Sequence, residues 1–214
     1  NVVSGVKRFY KKNNFFGLVP SRRQIECLSM GGGYVNSWST KDFKVYAENT
    51  VVLRDHGGPG QGSILDDGLQ SLTRDVESGI NFIHIDPWKL CKSIDEAVVS
   101  STNLINFCLN LNPDCYFEVG TESSIYPYNE NELELFLDGL ANKLKSNFNN
   151  LIYGVVQSGT QVQALGNIGK FEFKKSKLMC DIVHKFGLMA KEHNSDYLTN
   201  EDIKNRIDAG VDSF

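Results

Sequence analysis

The 214-residue chain is 41% hydrophobic and 22% charged, proportions that are typical of a globular domain and exclude a disordered or fibrous protein. A net charge of −4 argues against a nucleic-acid partner, because nucleic-acid-binding domains need a basic face. No apolar run approaches the roughly 18 residues of a membrane span, so we expect no membrane partner either. The length predicts a single domain over residues 1–214.

The two ends of the chain and its cysteines carry further expectations. Residues 1–14 are charged and lack the apolar segment of a signal peptide, and the missing initiator Met suggests a trimmed or partial chain. The five cysteines form no C-x-x-C pair, and most lie in apolar segments. We interpret them as buried thiols of a protein in the reducing cytoplasm. They are Cys27, Cys91, Cys108, Cys115 and Cys180.

Short apolar runs alternate with stretches of helical periodicity along the chain. From the second run onward the runs begin 29, 35, 36 and 35 residues apart, a spacing that fits one strand, one loop and one helix per unit. The predicted strands are Phe15–Val19, Val51–Arg54, Ile80–Ile85, Cys115–Gly120, Leu151–Gln157 and Phe186–Lys191, with a seventh beginning at Val211. The predicted helices are Asp66–Ser78, Ser93–Leu111, Asn129–Asn147, Phe173–Lys185 and Thr199–Gly210.

Both a (β/α)₈ TIM barrel and an open doubly wound sheet fit this alternation. No G-x-G-x-x-G fingerprint of dinucleotide binding follows any predicted strand. Polar clusters end nearly every predicted strand, whereas an open sheet would concentrate them at one switch point. We therefore predict an α/β fold of the TIM-barrel type. It is incomplete at the C-terminus, because the chain has six strands and the start of a seventh where a closed barrel needs eight.

Three of these strand ends carry residues suited to metal-assisted acid–base chemistry. In the segment Arg54–Gly62, His56 can bind a metal while its neighbour Asp55 moves a proton. Glu118 lies in an apolar strand, where a carboxylate is costly unless it is paired or metal-bound. Glu122 follows at the mouth of the same strand and, with Asp55, is a candidate catalytic carboxylate. With His193 after a later strand, His56 and Glu118 form a reasonable ligand set for Zn²⁺ or another divalent metal.

Other strand-end residues are candidates for binding a phosphorylated substrate. His84 and Asp86 point the same way in their strand, so both face either the site or the helices. Arg22 and Arg23 could offer a guanidinium to a phosphate, although either could equally be a surface ion-pair member. The remaining candidates are backbone amides and polar side chains of Gln157, Ser158, Gly159, Thr160, Lys191 and Asn194.

Five motifs occur in an order that resembles one known family. They are Asp55–Pro59 (D-H-G-G-P), Ile83–Asp86 (I-H-I-D), Val119–Glu122 (V-G-T-E), Val155–Gln157 (V-V-Q) and Lys191–Tyr197 (K-E-H-N-S-D-Y). The order resembles that of the non-catalytic (Z-type) subunit of class II tagatose-bisphosphate aldolase, a family that also carries an old sugar-phosphate kinase label. Together the motifs span Val51 to Phe214.

The resemblance implies a class II aldolase-like (β/α)₈ barrel of carbohydrate metabolism. By similarity to the catalytic class II aldolases, it implies zinc, with Asp55 moving a proton and His56, Glu118 and His193 as ligands. A further histidine of those enzymes has no counterpart here, since Val162 or Gln163 occupies the region.

Two functions follow from these observations. The first is a metal-dependent lyase or isomerase, most simply an aldolase, acting on a phosphorylated sugar. The second is a non-catalytic subunit that stabilises a separate catalytic aldolase subunit. The expected protein partner is such a subunit or, in a homo-oligomer, further copies of this chain. A kinase is disfavoured because neither a Walker A sequence nor a glycine-rich ATP loop is present.

Overall fold

The structure is a computed structural model that describes Ser4 and residues 17–214. The chain divides into two compact units. Unit one comprises the residues up to Leu90 together with Leu104–Phe117, and unit two comprises Cys91–Asn103 together with Glu118–Phe214. The single domain expected from chain length stays a prediction.

Unit one is built on parallel strands. They are β1 (Gly17–Leu18), β2 (Val51–Gly57) and β3 (Phe82–Ile85), and β1 and β3 flank β2. The predicted strand Phe15–Val19 is thus represented by β1, while Phe15 and Phe16 lie outside the described residues. Strand β4 (Tyr116–Val119) gives its first two residues to unit one and its last two to unit two.

Unit one has two helices and a small apolar core. Helix α1 (Thr40–Tyr46) begins where the Ser39 side chain accepts a hydrogen bond from the Asp42 backbone N–H, and α2 (Leu69–Glu77) follows the loop after β2. Helix α1 is absent from the sequence prediction because its seven residues are too few to establish a helical period. The core comprises Leu18, Ile25, Phe43, Ala47, Val52 and Ile80, with Trp38 packed against it.

Unit two continues the same strand–helix alternation. Strand β5 (Leu151–Val155) pairs in parallel with β8 (Met189–Lys191), and a hairpin of β6 (Thr160–Gln163) and β7 (Gly166–Gly169) lies between them in sequence. The hairpin is missing from the sequence prediction because its strands have four residues each and alternate weakly. The predicted strand at Val211 appears only as an isolated parallel bridge between Lys191 and Ser213.

The helices of unit two begin at the caps that the sequence indicates. Capping boxes open α4 (Glu130–Leu144) at Asn129 and α6 (Asn200–Asp208) at Thr199. Helix α3 (Ile94–Leu111) contributes residues to each unit. At its start the Ser93 hydroxyl accepts a hydrogen bond from the Glu96 backbone N–H, but the Glu96 carboxylate accepts from the backbone N–H of Lys92 instead of that of Ser93. Helix α5 (Phe173–Lys185) has the predicted bounds.

The architecture is therefore α/β, with parallel strands alternating with helices. The parallel pairing is seen for β1 with β2, β2 with β3, and β5 with β8. Among the residues described, no helix is both long and apolar enough to cross a membrane.

Candidate functional site

In unit one, four titratable side chains gather at the ends of β2 and β3. They are Asp55, His56, His84 and Asp86. Strand alternation alone would send the adjacent Asp55 and His56 to opposite faces. The pairing of Arg54 with Ile83 and of Gly57 with Ile85 shows one extra residue in β2, a bulge of the kind that re-aims side chains beside active sites.

The bulge also places His56 in an uncommon backbone conformation. Its φ is 49°, in the left-handed region that non-glycine residues adopt infrequently. The next residue must be small, because a Cβ on Gly57 would lie 2.9 Å from the His84 carbonyl oxygen. Together these features bring the end of β2 close to β3.

The four side chains form a connected acid–base group. His56 Nδ1 lies 2.6 Å from Asp86 Oδ2, and His56 Nε2 lies 3.6 Å from Asp55 Oδ2. His84 Nδ1 lies 3.5 Å from Asp55 Oδ1 and 3.3 Å from the His56 backbone N–H, from which it accepts. Two carboxylates thus face two imidazoles within one unit.

This arrangement shifts two pKa values in opposite directions. Burial alone would lower the pKa of His56, but its hydrogen bond to Asp86 and the charges of Asp55 and Asp86 outweigh burial and raise it. Burial alone would raise the pKa of Asp86, but the hydrogen bond and charge of His56, with the charge of His84, lower it. The group therefore favours a proton or another cation between His56 and Asp86.

Buried ion pairs fix the segments that carry this group. Next to Asp55, the Arg54 guanidinium contacts both oxygens of Asp75 at 2.6 and 2.9 Å and donates to the Ile25 carbonyl. Further along the loop, Gln61 donates to the Asp86 carbonyl oxygen at 2.9 Å. These contacts immobilise the backbone on both sides of the group.

Arg22 and Arg23, the predicted phosphate contacts, have different surroundings. The buried Arg22 guanidinium donates to Glu26 at 2.7 Å, to Asp66 at 2.9 and 3.0 Å, and to the Gly58 carbonyl oxygen at 2.6 Å. These are contacts of a structural arginine that fixes the loop after β2. Arg23 is exposed. A phosphate role for either stays a prediction.

In unit two, a second group forms around Glu118 at the end of β4. Lys191 Nζ donates to Glu118 Oε2 at 2.6 Å, and His193 Nε2 contacts Glu118 Oε1. Glu118 is fully buried, and the side chains of Lys191 and His193 are 5% and 8% exposed. The carboxylate is therefore held between two nitrogen groups from the end of β8.

A third network lies beside this second group. Glu192, between Lys191 and His193 in sequence, contacts Ser158, and its Oε1 accepts a hydrogen bond from Arg206 Nε at 3.1 Å. The other oxygen, Oε2, lies 3.0 Å from the same nitrogen in the ion pair. Arg206 also donates to Thr160 Oγ1 at 3.1 Å. Because residues alternate in an extended segment, anchoring Glu192 on one side presents Lys191 and His193 on the other.

The other predicted substrate-binding residues of unit two hold loops in place. Gln157 donates to the carbonyl oxygens of Thr121 and Tyr126 at 2.9 and 3.0 Å, and the Asn194 side chain accepts from the Val162 N–H. Gly159 has a φ of 93° at the start of the hairpin, and Glu122 is half-buried after β4. Their substrate roles stay predictions.

The structure thus brings the predicted site residues into two groups, one in each unit. Asp55, His56, His84 and Asp86 belong to unit one, and Glu118, Lys191 and His193 belong to unit two. The predicted ligand set of His56, Glu118 and His193 draws on both units and stays a prediction. Sequence reasoning missed Gln61, Glu192 and Arg206, although the first two lie in segments that it singled out as functional.

No protein-family model matches the sequence, and no curated protein matches it. Solved structures do match. One is "a probable tagatose 6 phosphate kinase" from Sinorhizobium meliloti, with a TM-score of 0.80 and 14% identity over 99% of this chain and 60% of that one. This chain therefore spans less than two thirds of that protein's length.

Two aldolases are also similar in structure. Deoxyribose phosphate aldolase from Aeropyrum pernix has a TM-score of 0.66 and 13% identity over 99% of this chain and 78% of that one. The YdjI aldolase from Escherichia coli K12 has a TM-score of 0.61 and 15% identity over 84% of this chain and 61% of that one. At these identities the likeness shows the fold alone, and the fold of this chain is aldolase-like.

Proposed function

We propose that this chain is a sugar-phosphate aldolase of carbohydrate metabolism, which breaks or forms a carbon–carbon bond beside a carbonyl. The observation that carries the proposal is the group of Asp55, His56, His84 and Asp86 at strand ends of an aldolase-like fold. In folds of this class, strand ends are where catalytic residues collect.

Aldol cleavage needs a group that removes the proton of a hydroxyl and a group that stabilises charge on oxygen. Asp55, whose side chain is 19% exposed, is suited to accept the proton. Without a bound metal, His56 is suited to donate one, since Asp86 holds its imidazole 2.6 Å away and raises its pKa. In that state Asp86 acts through His56 and is a positioning residue.

The unit-one group also suits a divalent metal. One ligand atom each from His56, His84 and Asp86 lies within 4.8 Å of the others, and two imidazoles with a carboxylate form a typical zinc donor set. A bound metal would act as a Lewis acid that stabilises negative charge on substrate oxygens. We propose Zn²⁺ there rather than at Glu118, since Lys191 already places a positive charge 2.6 Å from that carboxylate.

The finer predictions belong to the same proposal. We propose that the complete protein closes as a (β/α)₈ barrel and is related to the class II Z-type subunit family. A cytoplasmic location is supported by the cysteines, because none of the five, all within the described residues, forms a disulfide. The phosphorylated substrate is supported by the fold likeness to a deoxyribose phosphate aldolase.

Metal content and turnover measured together test this function. We expect the purified chain to hold stoichiometric Zn²⁺ by elemental analysis and to release a triose phosphate from a ketose bisphosphate. His56→Ala should lose both properties, while His184→Ala, an exposed histidine of unit two, should keep both. Wild-type protein with no cleavage at any metal loading would refute the aldolase.

The order of the five motifs favours a second candidate, the non-catalytic subunit. In that case the chain would show no turnover alone and would form a stable complex with a catalytic aldolase subunit. Size-exclusion chromatography of the two together should then give one earlier peak. The same column, with light scattering on the chain alone, tests a homo-oligomer; the similar Aeropyrum enzyme is a tetramer.

A further inference from the structure

We propose that Lys191 is an amine nucleophile that forms an imine with the carbonyl carbon of the substrate. The inference rests on the proposed aldolase function and deepens it, because it names the group that would hold the substrate covalently. It starts from the surroundings of one side chain at the end of β8.

Lys191 differs from the other lysines that the structure describes. It alone among them is buried, with 4% of the residue exposed. The lysines Lys177, Lys185 and Lys204 pair with carboxylates on the surface, where such pairs contribute little. Lys191 instead lies 2.6 Å from the fully buried Glu118, with its Nζ 5.8 Å from the centre of the Tyr153 ring.

The choice of lysine at this place is informative. Three other buried carboxylates, Glu26, Asp75 and Glu192, pair with buried arginines, whose planar guanidinium suits a structural ion pair. An arginine cannot lose its proton and cannot attack a carbonyl. A lysine can do both once it is removed from water, which is why buried lysines serve as imine-forming groups.

The partners of Lys191 can manage the protons of such a reaction. Glu118 Oε2 accepts from the ammonium, and the other oxygen of Glu118 contacts His193 Nε2. A carboxylate between an amine and an imidazole can take a proton from the amine and exchange protons with the imidazole. The Glu192 anchor to Ser158 and Arg206 holds the intervening residue, so Lys191 and His193 keep this placement.

Imine formation balances with these groups alone. Glu118 takes a proton from the Lys191 ammonium, and the amine nitrogen bonds to the carbonyl carbon as the carbon–oxygen π bond breaks. His193 gives a proton to the oxygen and takes one from the nitrogen, which yields a neutral carbinolamine. Glu118 then returns its proton to the hydroxyl, which leaves as water while the nitrogen lone pair forms the iminium. The iminium then accepts the electron pair of the breaking carbon–carbon bond and becomes an enamine. At the same time a base removes the proton of the substrate hydroxyl, whose oxygen becomes the carbonyl oxygen of the aldehyde product.

The cycle closes without an oxidant or a reductant. Protonation of the enamine carbon restores the iminium, and the water molecule that hydrolyses it replaces the one lost earlier. In this scheme the amine, rather than a metal, withdraws electrons from the substrate carbonyl.

Reductive trapping tests the imine directly. The full chain is mixed with dihydroxyacetone phosphate, reduced with sodium borohydride, and analysed by intact mass and peptide mapping. We expect one adduct per chain, located on Lys191 and unaffected by a chelator. Mapping in the wild-type protein gives this result without relying on any variant to fold.

Two variants provide matched controls. Lys191→Arg keeps a cation beside Glu118 but removes the nucleophile, and should lose the adduct completely. Lys185→Arg changes an exposed lysine of the same unit and should trap like wild type. An adduct that maps to another lysine, or that persists in Lys191→Arg, would overturn the assignment.

Turnover measured on the same samples separates the two proposals. Cleavage of a ketose phosphate without any trapped adduct would overturn the imine and leave the aldolase in place. Absence of both cleavage and adduct would overturn the aldolase, and the imine with it. A chelator that abolishes cleavage in a protein with no adduct would point to the metal alone.

Discussion

The two units hold buried charges at their strand ends in contrasting ways. In unit one, Asp55 and Asp86 face two imidazoles, so the group attracts a proton or a metal from outside. In unit two, Glu118 and Glu192 face Lys191 and Arg206, cations that the chain itself provides. The difference indicates that the proposed metal binding and the proposed imine chemistry depend on separate residues.

The largest expected effect is on metal affinity. Asp86→Asn should weaken Zn²⁺ binding by at least about 100-fold, because it removes a proposed ligand and the partner of His56. Glu118→Gln in unit two should leave metal affinity within a few fold of wild type. Competition titration with a chromophoric chelator measures both, and the reverse ranking would place the metal in unit two.

A second test compares the buried arginines of the two units. Arg54→Met and Arg206→Met should each lower the free energy of unfolding by about 3–5 kcal/mol, because each leaves a buried carboxylate without its cation. Arg74→Met, which removes an exposed pair with Glu77, should cost at most about 1 kcal/mol.

Urea unfolding followed by circular dichroism measures these losses. One cooperative transition shifted by either buried variant would support the single domain expected from chain length. Two transitions, each shifted by only one variant, would contradict it.

A smaller effect is the pH dependence of the His56–Asp86 pair in chelator-treated protein. Because the pKa of His56 is raised on folding, its contribution is fully present below the unfolded-state pKa of about 6.5 and is lost as pH rises through the folded-state value. The stability difference between wild type and Asp86→Asn should therefore shrink as pH rises above about 6.5. A difference that grows over this range would contradict the raised pKa.

The smallest effect is the rate of thiol alkylation. Burial raises the pKa of Cys115, in unit one, to about 11 and that of Cys180, in unit two, to about 12. At pH 8, iodoacetamide should therefore label the half-buried Cys91 first. The order in which Cys115 and Cys180 react afterwards shows which unit opens more readily. Immediate labelling of either would contradict their burial.

The sequence predicted the unit-one group better than the unit-two group. His84 and Asp86 each follow an isoleucine, Asp55 and His56 come after Arg54 at the end of an apolar run, and their strands β2 and β3 are neighbours in the sheet. Polar residues at consecutive parallel strand ends converge, so a local pattern is enough to find them. The local pattern could not show the bulge in β2, which brings the adjacent side chains of Asp55 and His56 into the same acid–base group.

The partners in unit two were harder to predict because they are far apart in the chain. Lys191 and Glu118 are 73 residues apart, and no local pattern indicates the ion pair between them. Likewise, the sequence left Arg22 open as a phosphate contact or an ion-pair member, and it could not indicate the partner Asp66, 44 residues away. Residue type indicates that a buried charge needs a partner; only the fold shows which one it has.

The left-handed backbone at His56 limits how relatives of this chain can diverge. Glycine, asparagine and aspartate adopt that conformation at small cost, whereas valine or isoleucine would strain it. A relative that has lost the chemistry but kept the bulge should therefore carry Gly, Asn or Asp at position 56. A β-branched residue there would mark a lineage in which the bulge itself has been lost.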